Sequence, residues 1–293
     1  MLVVQVSRRG TRRRMDMVWK KATQFLGIVL LLAACSPIEK SKMGAGEAGW
    51  HDRMEANVSV RIAIVGDNKT YDPRLKAGVG FSSVVNLSRK TILFDTGVDG
   101  PTLLGNMAKM GIDPKEIDRV VLSHNHPDHA GGLPGFLERN AGVTLYLPGS
   151  SAKKSEERAT RAGAKWVEVN EAREISENVF TTGILGNEIK EQALVLKTSY
   201  GLVVMTGCAH PGLITILRRA KEIGRDEVYL LLSGFHLEGQ SAASIESIIR
   251  RVKEFGVKKV APCHCSGDLA RGLFRQHYGQ DFIDVGVGKI IAL

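Results

Sequence analysis

Three histidines and one aspartate fall within six residues: His124, His126, Asp128 and His129, directly after the apolar stretch Arg119–Leu122. Imidazole and carboxylate donors suit zinc, iron or manganese. In an extended turn, residues i and i+2 project to the same side, so His124 and His126 can chelate one ion. Pro127 turns Asp128 and His129 toward a second position, and Gly131-Gly132 lets the chain approach closely and start a helix. Only eight histidines exist in the chain, which sets this cluster apart from a His-rich surface loop. Two ions held about 3.5–4 Å apart would share a water or hydroxide, with the pKa of the water brought toward about 7. The same ions would polarise a carbonyl or phosphoryl oxygen. That is hydrolytic chemistry.

Other routes to chemistry are poorly supported. There is no Ser-His-Asp pattern with a nucleophile elbow and no Walker loop. Gly78-Val79-Gly80-Phe81 lacks the strand–GxGxxG–helix context of a dinucleotide site and reads as a loop near the site opening. Cys263 and Cys265 flank His264 in a short segment expected to be extended, so their side chains should point away from it and pack as small apolar groups. His51 and His277 read as solvent residues, and the Lys153–Arg161 stretch as a mixed-charge solvated face.

These residues must be held by alternating strands and helices. β-Branched runs predict strands over Val58–Val65, Arg119–Leu122, Val143–Leu147, Val228–Leu232, Lys259–Ala261 and Lys289–Leu293. Ser82–Leu87 with Thr91–Phe94, and Gln192–Thr198 with Leu202–Met205, read as hairpins around short polar turns. Helical spacing covers Leu103–Met110, Gly132–Arg139, Ser151–Ala162, Leu213–Ile223, Ser244–Phe255 and Leu269–His277. No linker-like stretch interrupts residues 58–293, so one α/β domain of mixed sheets covered by helices is expected.

His124-Asn125-His126-Pro127-Asp128-His129 resembles the HxHxDH signature of the metallo-β-lactamase superfamily, and Phe94-Asp95-Thr96-Gly97 resembles its DTG element. Leu104-Gly105-Asn106-Met107, Thr206-Gly207-Cys208-Ala209-His210, Ser233-Gly234-Phe235-His236-Leu237 and Gly286-Val287-Gly288-Lys289 look like one branch of it. That branch is similar to archaeal dihydropterin–ribofuranosylaminobenzene phosphate synthase. The resemblance implies an αβ/βα sandwich with a metal site at one edge of the two sheets. It implies that His124 and His126, joined by His210, bind a first metal. Asp128, His129 and His264 would bind a second, and Asp95 would orient a ligand histidine. Cys208 stands where many relatives carry a metal-bridging Asp, and the usual middle histidine is absent between His129 and His210. His236 would meet the substrate as a proton donor or anion contact, while Asp128 would also orient the attacking hydroxide. The resemblance thus implies one or two divalent transition metal ions, Zn first and Mn or Fe as alternatives. The expected function is a metal-dependent hydrolase using a metal-bound hydroxide on an ester, lactone, amide or phosphoester of a small molecule. A pterin-type condensing synthase and a non-catalytic metal-binding surface lipoprotein are the alternatives.

The charge of +9 over 293 residues invites a nucleic-acid reading, but its distribution argues otherwise. Residues 1–34 hold seven basic residues against Asp16 alone, a net +6. Lys20 and Lys21 precede the apolar run Leu26–Ala34, the pattern of an export signal too short to span a bilayer. Leu32-Ala33-Ala34-Cys35 resembles a bacterial lipobox, which implies cleavage before Cys35, its lipidation and anchoring to the cell envelope on the periplasmic side. Residues 1–34 are therefore expected to be a signal, 35–57 a tether, and 58–293 the folded domain, mildly basic and without a nucleic-acid partner.

Overall fold

The computed structural model describes residues 60–149 and 153–293. The expected signal, Cys35, the tether and His51 lie outside the described residues. Among those described, no helix is long and apolar enough to cross a membrane.

The first half of the chain builds a seven-stranded sheet. Its strands are β1 (Val60–Gly66), β2 (Ser82–Leu87), β3 (Thr91–Phe94), β4 (Arg119–Val121), β5 (Thr144–Pro148) and β6 (Lys165–Val169). The last strand, β13 (Ile290–Ala292), returns to complete the order β13-β1-β2-β3-β4-β5-β6. β13 to β3 pair antiparallel and β3 to β6 parallel. The parallel crossovers carry helices α1 (Gly100–Lys109), α2 (Pro127–Ala130), α3 (Leu133–Arg139) and α4 (Lys153–Ala162).

A second sheet repeats the plan. It is formed by β7 (Glu171–Ser176), β8 (Val179–Gly183), β9 (Leu194–Thr198), β10 (Gly201–Thr206), β11 (Val228–Gly234) and β12 (Lys259–Cys263), in the order β12-β11-β10-β9-β8-β7. β10, β11 and β12 run parallel, joined by α5 (Leu213–Gly224) and α6 (Ala242–Glu254). Helix α7 (Asp268–Tyr278) follows β12.

Period-two alternation explains the layers. Ile62, Ile64, Val85, Ile92 and Phe94 face one way and pack with Leu194, Val203, Met205, Leu230 and Leu232 of the other sheet. Their alternates Ala63, Val65, Val84 and Leu93 pack with Leu103, Met107, Leu133 and Phe136 of α1 and α3. On the far side, Val195, Leu202, Val204 and Leu231 meet Leu213, Leu217, Ile245, Ile249 and Phe274 of α5, α6 and α7. The order of layers is helix, sheet, sheet, helix. This is the expected αβ/βα sandwich, and because both sheet faces are covered, its central strands are apolar throughout.

The parallel strands of both sheets end in the loops that bear the conspicuous side chains. Asp95 follows β3, the histidine cluster follows β4, Cys208 and His210 follow β10, His236 follows β11, and His264 follows β12. Loops at the carboxyl ends of strands are the usual seat of ligand sites in α/β sheets.

Candidate metal centre

The structure brings the sequence-predicted donors into two neighbouring groups. His124, His126 and His210 form one, and Asp128, His129, Cys208 and His264 the other; within each group the ligand atoms all lie within 4.8 Å of one another. The His124 ring centroid is 4.6 Å from that of His126, 4.9 Å from that of His210 and 4.2 Å from that of His129, so the two groups adjoin. In the second group, His129 Nε2 lies 3.1 Å from both Cys208 Sγ and His264 Nε2. Asp128 Oδ2 is 3.3 Å from His264 Nε2 and 3.5 Å from His129 Nε2.

The surrounding hydrogen bonds settle which ring nitrogens carry protons. The Asp95 carboxylate is buried and accepts from the Ser123 N–H at 2.7 Å, the Ser123 hydroxyl at 2.7 Å and His129 Nδ1 at 2.7 Å. With its single proton given to Asp95, Ser123 Oγ is an acceptor toward His124 Nδ1 at 2.9 Å. Asn68 Oδ1 is identified as the acceptor by the Gly80 N–H at 3.1 Å, so His264 Nδ1, 3.0 Å away, is also a donor. In their neutral forms His124, His129 and His264 therefore each turn an unprotonated Nε2 into the site. His124 Nε2 and His210 Nε2 are buried without a hydrogen-bond partner among the described residues. Lone pairs of His129 and His264 face each other across 3.1 Å with a carboxylate and a sulfur beside them. The Cys208 thiol offers at most one proton to these facing acceptors, and divalent cations are what the array fits.

Electrostatics follow the same geometry. Burial, with the imidazoles of His129, His126 and His210, pushes His124 far below the ordinary histidine range. Burial, His236 and His126 together hold His210 down at about 4. Burial raises Asp128, but the neighbouring His264 and His129 imidazoles outweigh it and leave the carboxyl well below its usual range. Burial works against a charged His129, and the Asp95 carboxylate overcomes it to raise that histidine.

Several positioning residues escaped the sequence reading. Glu191, fully buried, accepts the N–H groups of Gly207 (2.9 Å), Cys208 (3.1 Å) and Ala209 (2.9 Å) on Oε1, and that of His210 (3.0 Å) on Oε2. It thereby shapes the loop that presents Cys208 and His210. Burial raises its carboxyl above the ordinary range, against the pull of those N–H groups. Asp67 accepts the His264 N–H at 2.8 Å. Gln192 donates to the carbonyls of Leu122 (2.8 Å) and Tyr146 (3.1 Å), tying the start of β9 to the end of β4. None belongs to a spaced motif. The adjacency of Asp67 and Asn68 just after a strand was the only available hint.

The expected extended segment around His264 is corrected. His264–Ser266 is a 3-10 turn, with His264 in the left-handed region at φ 52°. Cys263 is buried in the inter-sheet core, as a small apolar group. The turn aims Cys265 instead at Cys208 and His236. The Gly78–Phe81 loop packs on the metal loop: the Phe81 N–H donates to Asp128 O at 3.2 Å, and a Cβ on Gly80 would lie 2.1 Å from that oxygen.

His236 is exposed, with its ring centroid 4.4 Å from that of His210. Both line a cavity of about 470 Å³ with Thr215, Arg218, Gln240 and Arg251, within the size range of small-molecule pockets. A hydrogen bond to Cys265 raises His236 above its ordinary range despite partial burial. His277, near the end of α7, is exposed, and its carbonyl accepts from Lys253.

A family model for the metallo-β-lactamase superfamily matches residues 75–189. The 7,8-dihydropterin-6-methyl-4-(β-D-ribofuranosyl)-aminobenzene-5'-phosphate synthase of Methanocaldococcus jannaschii is 31% identical, over 69% of this chain and 84% of that protein. The crystal structure of Tm1679, described as a metal-dependent hydrolase of the β-lactamase superfamily, matches with a TM-score of 0.67 at 28% identity. That match covers 80% of this chain and 99% of Tm1679. The metallo-β-lactamase fold protein YhfI from Bacillus subtilis matches at 14% identity with a TM-score of 0.60, over 80% of this chain and 99% of its own, a likeness of fold alone. From the two donor groups, the layered sheets and these relatives together, the chain belongs to the metallo-β-lactamase superfamily.

Proposed function

We propose that this protein is a metal-dependent hydrolase acting on an ester, lactone, amide or phosphoester bond of a small molecule. The observation that carries this reading is the convergence of two adjoining donor groups whose lone pairs outnumber the protons available to meet them. Divalent ions bound there, Zn first among them, would supply Lewis acidity and a water acidic enough to serve as nucleophile near neutral pH. The chain's own residues do the rest. Asp95, Ser123 and Asn68 hold the tautomers that keep each Nε2 unprotonated. Asp128, half-buried beside His129 and His264, has a carboxylate able to orient the attacking oxygen. His236 stands at the cavity wall, placed to meet the substrate as a proton donor or anion contact. Arg218 and Arg251 line the same cavity and favour a substrate bearing negative charge.

A second reading comes from the synthase of M. jannaschii, which shares 31% identity. It keeps the same residues and changes the reaction to a pterin-type condensation. An envelope location, proposed from Leu32-Ala33-Ala34-Cys35, disfavours it, because cytoplasmic biosynthetic phosphates would be out of reach. Radiolabelled lipid incorporated by the wild type and lost in Cys35→Ser tests that location.

The decisive assay is a screen of chromogenic esters, phosphodiesters, lactones and β-lactams after reconstitution with Zn, Mn or Fe. His126→Ala is expected to abolish whatever turnover is found while the circular dichroism spectrum is unchanged. Turnover retained in His126→Ala overturns the assignment, and no turnover on any substrate favours a metal-binding protein without catalysis.

A further inference from the structure

Two donors, Cys265 and His236, belong to neither position described above. Cys265 Sγ, the His236 imidazole and Cys208 Sγ converge so that their ligand atoms all lie within 4.8 Å of one another. They arrive from the three loops that follow β12, β11 and β10. Cys208 is common to two groups: its sulfur is 3.1 Å from His129 Nε2 and 3.3 Å from His264 Nε2, and it also meets Cys265 and His236.

The backbone is shaped to bring these sulfurs together. A Cβ on Gly234 would lie 2.8 Å from Cys265 Sγ, 3.1 Å from Cys208 Cα and 2.3 Å from Gly207 O, so only glycine leaves room for the sulfur beside the Cys208 backbone. Cys265 Sγ reaches within 3.7 Å of the Cys208 carbonyl. Ala209, Ser233, His236 and His264, all flanking this group, adopt positive φ values of 63°, 99°, 53° and 52°. Non-glycine residues held in that region cluster where surrounding structure imposes a function on them.

We propose that Cys208, Cys265 and His236 form a third cation position, rich in sulfur, for a borderline or soft ion such as Zn²⁺. Zinc–sulfur bonds of about 2.3 Å and zinc–nitrogen bonds of about 2.0 Å place tetrahedral donors about 3.5–3.8 Å apart, close to the spacing available here. Two sulfurs and one imidazole select zinc, cadmium or Cu(I) over the hard ions that prefer carboxylate and water. On binding, each thiol releases its proton to solvent and the sulfur pair becomes a metal ligand, with no change of oxidation state. Three protein donors leave a fourth position open, and exposed His236 turns it toward the 470 Å³ cavity. Cys208 would then be shared between this position and the donor group of Asp128, His129 and His264.

The test uses the full chain, reduced, stripped by a chelator and titrated with cadmium chloride alone. The wild type is expected to bind one equivalent more than Cys265→Ser by elemental analysis. The ultraviolet sulfur-to-cadmium charge-transfer absorbance of Cys265→Ser should fall to about a third, because losing that ion leaves one of three sulfur–cadmium contacts. His236→Ala should weaken that same equivalent and no other. Cys265→Ser binding as many equivalents as the wild type, with the same absorbance, overturns the proposal. His126→Ala separates this from the hydrolase reading: it should cost an ion of the imidazole group and leave the charge-transfer band in place.

Discussion

Ser123 has one hydroxyl proton and two neighbours within reach of it, Asp95 and His124. Because the carboxylate can only accept, the proton goes there, and the His124 tautomer follows. The same logic runs through Asn68 to His264. These are consequences of hydrogen-bond valence, and they explain why Asp95 was visible in sequence through its DTG context while Ser123 and Asn68 were not. Glu191 was hidden more thoroughly, since it grips backbone N–H groups and so leaves no pattern of side-chain types. Glu191→Gln keeps one acceptor oxygen but turns an amide NH₂ toward at least one of the four N–H donors. It is expected to lower stability by about 1–3 kcal/mol, read as a shift in urea midpoint, and to loosen metal held through Cys208 and His210. A second expectation concerns the metal-free protein. His210 binds its proton at about 4 when folded and at 6.5 ordinarily, so between those values the unfolded chain holds more protons. The stability contributed by neutral His210 is complete above 6.5 and is lost as pH falls toward 4. Denaturant titrations of the apoprotein across that range should show the decline, and added metal should oppose it.

At the scale of elements, the loops matter more than the strands that carry them. Gly132 lets the turn before α3 lie against the Asp95-Thr96-Gly97 loop; a Cβ there would sit 2.1 Å from Thr96 O. Gly132→Ala is therefore expected to cost about 1–3 kcal/mol through overpacking, measured by thermal unfolding, and to displace the loop that carries His129. Helix α4 supports the same loop from outside, with Ser155 Oγ donating to Asn125 Oδ1 at 2.7 Å and Arg158 to Ala130 O at 3.1 Å. The strands of the buried core were readable because β-branched residues run continuously through them. β6, β7 and β8 were not assigned from sequence. β6 carries Lys165 and Glu168, and β7 carries Glu171, Arg173 and Glu174, so these strands at the sheet edges read as loop. Charge along an edge strand limits pairing with other chains, and it removes the alternation that marks a strand. Glu191-Gln192 lies between β8 and β9 and joins the sheets: Glu191 holds the loop after β10, and Gln192 holds the end of β4. That role needs the tertiary structure to be seen.

For the molecule as a whole, Cys208–His236–Cys265 draws on loops of one sheet, while the donor groups His124–His126–His210 and Asp128–His129–Cys208–His264 draw on loops of both. Ions bound there should stabilise the docking of the sheets. Chelator treatment is expected to lower the melting temperature, and an ion restored at a hundred times its dissociation constant should return about 2.7 kcal/mol, read by calorimetry. The pairing of β13 with β1 has a separate consequence. Val60 and Leu293 exchange both backbone hydrogen bonds, at 3.1 and 2.9 Å, so their Cα atoms are about 5.5 Å apart. A linker of a few residues from Leu293 to Val60 would close the domain into a ring, and new ends could be opened at the polar Ser88–Lys90 turn. In such a circular permutant every ligand loop keeps its flanking strands, while the order in which the two halves are synthesised is changed.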